Sequence, residues 1–398
     1  MRTAAVTLLL VVSMLAGCRE GATPRDLDRA LLLAVSVFPV GPDGVAATQP
    51  GDATLVILRR EAGRWRHELL VDPESNVFHK ALPFAPPVGP PGILTIAGTA
   101  ARLKLWHRRD GAWRAETLWA PTFGGKRNRL RDLELADLDG DGVAEIVLAT
   151  HDQGVVATLD VEADGPRVTE LDRAPDTFVH EVEVGDLDGD GALELFATPS
   201  QPNRFDGKPQ QGRVMRYPPE KPGEVFADLG ERHAKEVLVA DLDADGRVEV
   251  YVAVEGRAEG EQVEIRRYTA SGVAGEVLAR LDDRLCRFLV AADVDGDGVQ
   301  ELVAAPRTSG LWLLRPAPGA WSRTRIDADS SGFEHATAAF DLDGDGADEI
   351  YVAADDQHAV RRYVWNGTGF DREEIFAVPP ELRGFTWNIT AAPLDLVR

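Results

Sequence analysis

An all-β repeat architecture is what this 398-residue sequence predicts, and three observations predict it. Beyond about residue 35 no amphipathic helical stretch appears; short Val/Leu/Ile-rich runs alternate with Gly, Pro, Asp and Asn instead. One acidic nonapeptide recurs at a nearly constant interval. Each copy is bracketed by apolar runs and followed by a tight-turn signal, so a single repeat contains four strands.

The nonapeptide Asp137–Glu145 returns as Asp186–Glu194, Asp241–Glu249, Asp293–Glu301 and Asp341–Glu349, with start-to-start spacings of 49, 55, 52 and 48 residues. Apolar runs precede the loops, as at Val182–Val184 and Leu289–Ala292, and follow them, as at Ile146–Ala149 and Val250–Val254. Turns at Ala163–Gly165, Lys221–Gly223 and Asn366-Gly367 close hairpins. Two earlier stretches, Pro39–Gly44 and Pro87–Gly92, keep the closing glycine without the acids and continue the period. Their hairpins run over Leu55–Val71, turning at Ala62-Gly63, and Leu103–Trp119, turning at Asp110-Gly111. Seven four-stranded units that must bury each other's faces predict a seven-bladed β-propeller over residues 30–398. A two-sheet sandwich fits equal repeats less well. The remaining strand, Trp387–Ala392, either closes the ring on the first blade or begins a truncated eighth.

The first 17 residues read as a processing signal: Arg2, then an apolar Ala4–Ala16 too short to span a bilayer. The segment Leu15-Ala16-Gly17-Cys18 resembles the bacterial lipobox. That resemblance implies cleavage before Cys18, lipidation of its thiol, a linker over 18–29, and a protein anchored to a membrane of the bacterial cell envelope. The one other cysteine, Cys286, opens an apolar run and is expected to be a buried, inert thiol. With no disulfide available, a metal is the natural staple.

Each loop places carboxylates at positions 1, 3, 5 and 9 and a backbone carbonyl at position 7. All-oxygen donors in a flexible turn suit Ca²⁺ rather than Zn²⁺ or a transition metal. Position 12, where an EF-hand needs its glutamate, holds Leu148, Ala197 or Val252. The four positions in five loops use twenty acids, enough to account for most of the formal charge of −23. The acidity thus points to metal rather than to a repulsive surface. No basic face or basic-aromatic pattern suggests nucleic acid.

These loops resemble the FG-GAP or VCBS repeat, found in the integrin α-chain propeller and in many bacterial surface proteins. The resemblance implies a propeller with Ca²⁺ held by Asp137, Asp139, Asp141, the Val143 carbonyl and Glu145. The matching sets are Asp186, Asp188, Asp190, Ala192 and Glu194; Asp241, Asp243, Asp245, Arg247 and Glu249; Asp293, Asp295, Asp297, Val299 and Glu301; and Asp341, Asp343, Asp345, Ala347 and Glu349. The literal Phe-Gly is missing, and glutamate replaces the usual aspartate at position 9.

Six residues before each loop stand Arg131, His180, Lys235, Arg287 and His335. The start of each innermost strand lies on the face opposite the loops, so these side chains are expected to converge near the axis. Lys126, Arg127, Arg129, Arg204, His233 and Arg307, with Phe123, Phe205 and Trp387, are expected on the same face, as is the long Pro199–Gly212 connection. Together they suggest an anion-receptive mouth for an acidic glycan or a protein. The alternative is that the bases pair with Asp132, Glu181 and Glu236 to seal adjacent blades. The expected function is a non-enzymatic binding or scaffolding module. The rival is a carbohydrate-active enzyme: the chain resembles some polysaccharide lyases built on calcium-loop propellers, which would use His180 and His335 to abstract a proton beside a uronate carboxylate.

Overall fold

The computed structural model describes residues 27–39, 47–125, 128–201, 211–270, 274–317 and 320–398. The lipobox with Cys18, the basic residues Lys126, Arg127 and Arg204, Phe205, and most of the Pro199–Gly212 connection lie outside them. Seven four-stranded antiparallel sheets form the blades of a β-propeller. Among the described residues the one α-helix is the four-residue Leu394–Val397, and none is long and apolar enough to cross a membrane.

Burial explains the apolar runs that follow the acidic loops. The second strands Glu145–Thr150, Glu249–Val254, Glu301–Pro306 and Glu349–Ala354 are buried along their whole length, one face against each neighbouring blade. Outer strands such as Gly165–Asp172 are mostly exposed, and their sequence is correspondingly polar. The core therefore lies between blades. Leu32, Leu55 and Ile57 of the first blade pack on Phe78, Ile93 and Trp106 of the second, while Val147 and Ala149 meet Val182 and Leu195. The turns Ala62-Gly63 and Asp110-Gly111 take positive φ at both residues, 48° and 76°, and 52° and 76°, which matches the twist of their hairpins. Cys286 is fully buried, as expected.

The ring closes by exchange of its ends. Gly384–Pro393 is the innermost strand of the first blade and pairs with Arg29–Val37 from Arg29↔Pro393 to Val37↔Gly384. Ala53–Glu61 and Arg64–Asp72 complete that blade. This corrects the phase read for the first repeat. Arg29–Val37 is a second strand, paired with the third strand Ala53–Glu61, so no boundary between a first and a second strand falls after Val37, where the spacing of Pro39–Gly44 predicts one; all of that segment but Pro39 lies outside the described residues. Pro87–Gly92 instead joins strands one and two of its blade, between Phe78–Phe84 and Gly92–Ala97. The two segments share turn residues but not a place in the fold.

Six of the seven innermost strands carry bulges near their starts, where the register with the second strand slips. The skipped positions include His79, Arg131, His180, Lys235, Arg287 and Trp387. A bulge turns one side chain out of the pleat's alternation, and here it supplies the side chains of the axial mouth.

Candidate functional site

The acidic loops lie between the first and second strands of blades three to seven. In Asp137–Glu145 both oxygens of Asp137 accept backbone N–H bonds, from Gly140 at 2.8 Å and Gly142 at 2.9 Å. Glu145 reaches back to the Leu138 N–H at 2.7 Å. Asp141 takes the N–H of Val143 at 2.8 Å, and the same bond recurs at Ala192, Arg247, Val299 and Ala347. The bend needs positive φ at position 4; Gly140 supplies 77°, and in Asp241–Glu249 Ala244 takes 55°, a conformation an alanine adopts under strain.

The folding of each loop draws its acids to one point. Three carboxylates in every loop bring oxygens within 4.8 Å of one another: Asp137, Asp139 and Glu145; Asp186, Asp188 and Asp190; Asp241, Asp243 and Glu249; Asp293, Asp295 and Asp297; Asp341, Asp343 and Asp345. Burial pushes the carboxyls of Glu249, Glu301 and Glu349 up to about 7. Clustered, part-buried oxygen donors of this kind fit Ca²⁺. When bound, the ion would neutralise the carboxylates and tie the loop to the second strand.

At the other end of the axis, the structure brings four of the five expected ring residues together and leaves one out. Arg131 lies 3.6 Å from Glu334 and 5.5 Å above the Trp387 ring. Arg287 hydrogen-bonds Glu334, approaches Glu255 at 3.7 Å and stacks over Phe333 at 4.3 Å. Glu255 also takes a 2.9 Å bond from His233. Burial alone would raise the Glu255 carboxyl, but that bond and the charges of Lys235 and Arg287 hold it down to about 2. Lys235 has neither a hydrogen bond nor an ion pair among the described residues. Burial, with Arg287 beside it, brings its ammonium down to about 8. His180 is buried, with both ring nitrogens unpartnered.

His335 is the exception. Its backbone sits at φ 58°, which turns the ring into the wall, where it meets the Pro306 carbonyl at 2.7 Å and the Ser330 hydroxyl at 2.8 Å. Its neighbour Glu334 faces the axis instead. Sequence reasoning also missed His79 and His151, which sit beside His180: ring centroids are 6.0 Å apart for His79 and His151 and 5.5 Å for His151 and His180. Burial, reinforced by the charge of Arg131, pushes all three imidazoles well below their usual range and keeps them neutral. A signal was available, because His151, Glu255 and Arg307 each directly follow a fully buried second strand.

The expected sealing partners do something else. Asp132, Glu134 and Glu181 gather around Lys80, whose Nζ is 3.0 Å from Asp132 and 3.8 Å from Glu181. Asp132 and Glu236 also accept the backbone N–H groups of Val182 and Leu289 in the next blade, each at 3.0 Å. These acids do join blades, but through Lys80 and backbone amides rather than through the ring cations. Phe123 packs on Trp119 and stays out of the mouth.

No curated protein matches the chain. Among solved structures it resembles a putative 6-phosphogluconolactonase from Bacteroides fragilis (13% identity, TM-score 0.53, covering 92% of this chain and 98% of that one). A protein from Lactobacillus plantarum is similar at 12% identity and TM-score 0.54, covering 92% and 99%. The periplasmic gluconolactonase of Pseudomonas aeruginosa matches at 16% identity and TM-score 0.50, covering 87% and 97%. At such identities the likeness is one of fold alone. The FG-GAP-like repeat family model matches residues 137–197 and 293–352, each beginning at the first aspartate of an acidic loop. The chain is thus a seven-bladed β-propeller in a closed ring that carries FG-GAP-like repeats over those two stretches.

Proposed function

We propose that this protein is a calcium-stabilised binding module, tethered through Cys18 to the bacterial envelope, whose axial mouth takes an anionic group from a protein or an acidic glycan. The observation that carries this is Lys235: an ammonium at the mouth with no hydrogen bond or ion pair among the described residues, beside Arg131 and Arg287, which already share Glu334. A cation left unpaired among cations is poised for an anion from outside. The neutral imidazoles of His79, His151 and His180 offer further donors and acceptors, and Trp387 and Phe333 offer flat faces.

The chain's entry point supports the tether. Arg29 pairs with Pro393 at the end of an innermost strand, whereas Trp387, near that strand's start, lies beside Arg131 in the mouth. The N-terminus therefore enters on the calcium-loop face. A linker of about eleven residues from Cys18 spans less than about 40 Å, so an anchor there leaves the mouth facing away from the membrane. His335, half of the pair expected for proton abstraction, has both ring nitrogens engaged in the wall, which favours binding over lyase chemistry.

The test is titration of the wild type and Lys235→Ala with oligogalacturonate and with an acidic peptide. One charge-assisted contact contributes about 1.5–3 kcal/mol, so the variant should bind at least about tenfold more weakly and melt as the wild type does. Equal affinities, or no binding of either probe to the wild type, would overturn the proposal.

A further inference from the structure

The five loops share a motif but not an electrostatic setting. The third strand of each blade runs beside the second, and two of its positions face the loop acids. In blades four, five and seven the residue paired with the second position after the loop glutamate is an arginine: Arg216 opposite Phe196, Arg267 opposite Tyr251, Arg362 opposite Tyr351. In blade six that position is Leu313, opposite Val303, and the arginine comes two residues later as Arg315, one step beyond the Leu302–Leu314 pair.

Each of these arginines reaches into its loop. Arg216 meets Asp188 at 2.5 Å and hydrogen-bonds Glu194. Arg267 meets Asp243 at 2.9 Å. Arg315 meets Asp295 at 2.7 Å and Glu301 at 3.3 Å. Arg362 meets Asp343 at 2.6 Å and hydrogen-bonds Glu349.

Blade three departs from this at both positions. Thr158 stands opposite Val147, and Asp160 takes the place that Arg315 has in blade six. Among the described residues no arginine contacts the acids of Asp137–Glu145. After burial, the charges of Asp139, Asp160 and Asp137 help to raise the Glu145 carboxyl. The exposed Arg167 meets Asp160 at 3.2 Å.

We infer, building on the calcium assignment above, that the loops form a graded set. Asp137–Glu145, with Asp160 beside it, is the one tight divalent-cation site. The other four are weak sites in which an arginine serves as the resident counter-cation. A guanidinium cannot shed its charge, and its fork fits two carboxylates at once. A calcium ion entering those four loops must displace the fork or share the acids with it, and calcium affinity follows the net charge of the donor set. In blade three the acids meet no such competitor.

Equilibrium dialysis of the purified protein against calcium, with native mass spectrometry for stoichiometry, tests this. One ion per chain should bind at least about tenfold more tightly than the rest. Thr158→Arg should abolish that tight site, and Arg216→Thr should create a second. Arg267→Thr serves if Arg216→Thr does not fold. Five sites filling together, or a tight site that survives Thr158→Arg, would overturn the grading and leave the calcium assignment standing. Absence of bound calcium at millimolar concentration would overturn the assignment itself.

Discussion

Removing Arg287 tests the account of the mouth most directly. Its side chain is 10% exposed and lies between two acids that are more enclosed still, Glu334 at 2% and Glu255 at 0%. Deleting one partner of a buried ion pair typically costs about 3–5 kcal/mol, because the other charge is stranded. Two contacts soften the loss here: Arg131 remains 3.6 Å from Glu334, and His233 remains bonded to Glu255. That places the electrostatic part near the lower end, and the lost stacking on Phe333 at 4.3 Å adds about 0.5–1 kcal/mol. Arg287→Ala should therefore destabilise the fold by about 3–4 kcal/mol at neutral pH, read from urea unfolding. The deficit should shrink in acid. Glu255 sits at about 2 in the fold, below its unfolded value, so its contribution is present at neutral pH and fades as pH falls from about 4.5 towards 2. Lys235→Ala, which strands nothing, should change stability little. An Arg287→Ala variant within 1 kcal/mol of wild type, or one with a pH-independent deficit, would refute the assignment of these residues as a partly self-neutralised ring.

Three further outcomes are expected. Excess chelator should lower the melting temperature reversibly; with calcium at a hundredfold the dissociation constant of a single site the ion contributes about 2.7 kcal/mol, and an unchanged transition would refute a calcium-stabilised fold. Burial, with the charges of Asp356 and Glu334 adding to it, raises Asp355 to about 7, although the carboxyl accepts the N–H and hydroxyl of Thr386 on the ring-closing strand, each at 2.8 Å. Because the fold holds that proton more tightly than the unfolded chain does, stability should fall as pH rises from about 4 to about 7 and level off above that, and Asp355→Asn should flatten the decline in thermal melts. Cys18→Ser should release the protein from membranes, and a variant that still sediments with them after a high-salt wash would refute the anchor.

What could be read in advance was local or periodic. A second strand buried on both faces shows as a continuous apolar run, and a loop whose acids all lie within nine residues declares its chemistry without any tertiary information. The phase of the ring could not be read in this way, because a closed repeat can be cut between any two strands. Pro39–Gly44 and Pro87–Gly92 have the same turn residues although one follows a second strand and the other a first. Counting six residues back from an acidic loop finds the bulge residues Arg131, His180, Lys235 and Arg287. It fails at His335, where the chain turns through φ 58° before the short strand Thr337–Phe340. In blade two there are no acids to count from, and stepping back from Gly92 by the same interval lands on Ala81 rather than on the bulge residue His79. The acids that neutralise the ring were harder still. Glu255 and Glu334 belong to blades five and seven, yet both converge on Arg287 of blade six; Glu255 is marked only by its place directly after a fully buried second strand, and that place does not name its partner. The charge left over at the mouth is therefore a property of the closed ring, not of any repeat, which is why Lys235 stands out as the unpaired cation only once all seven blades are in place.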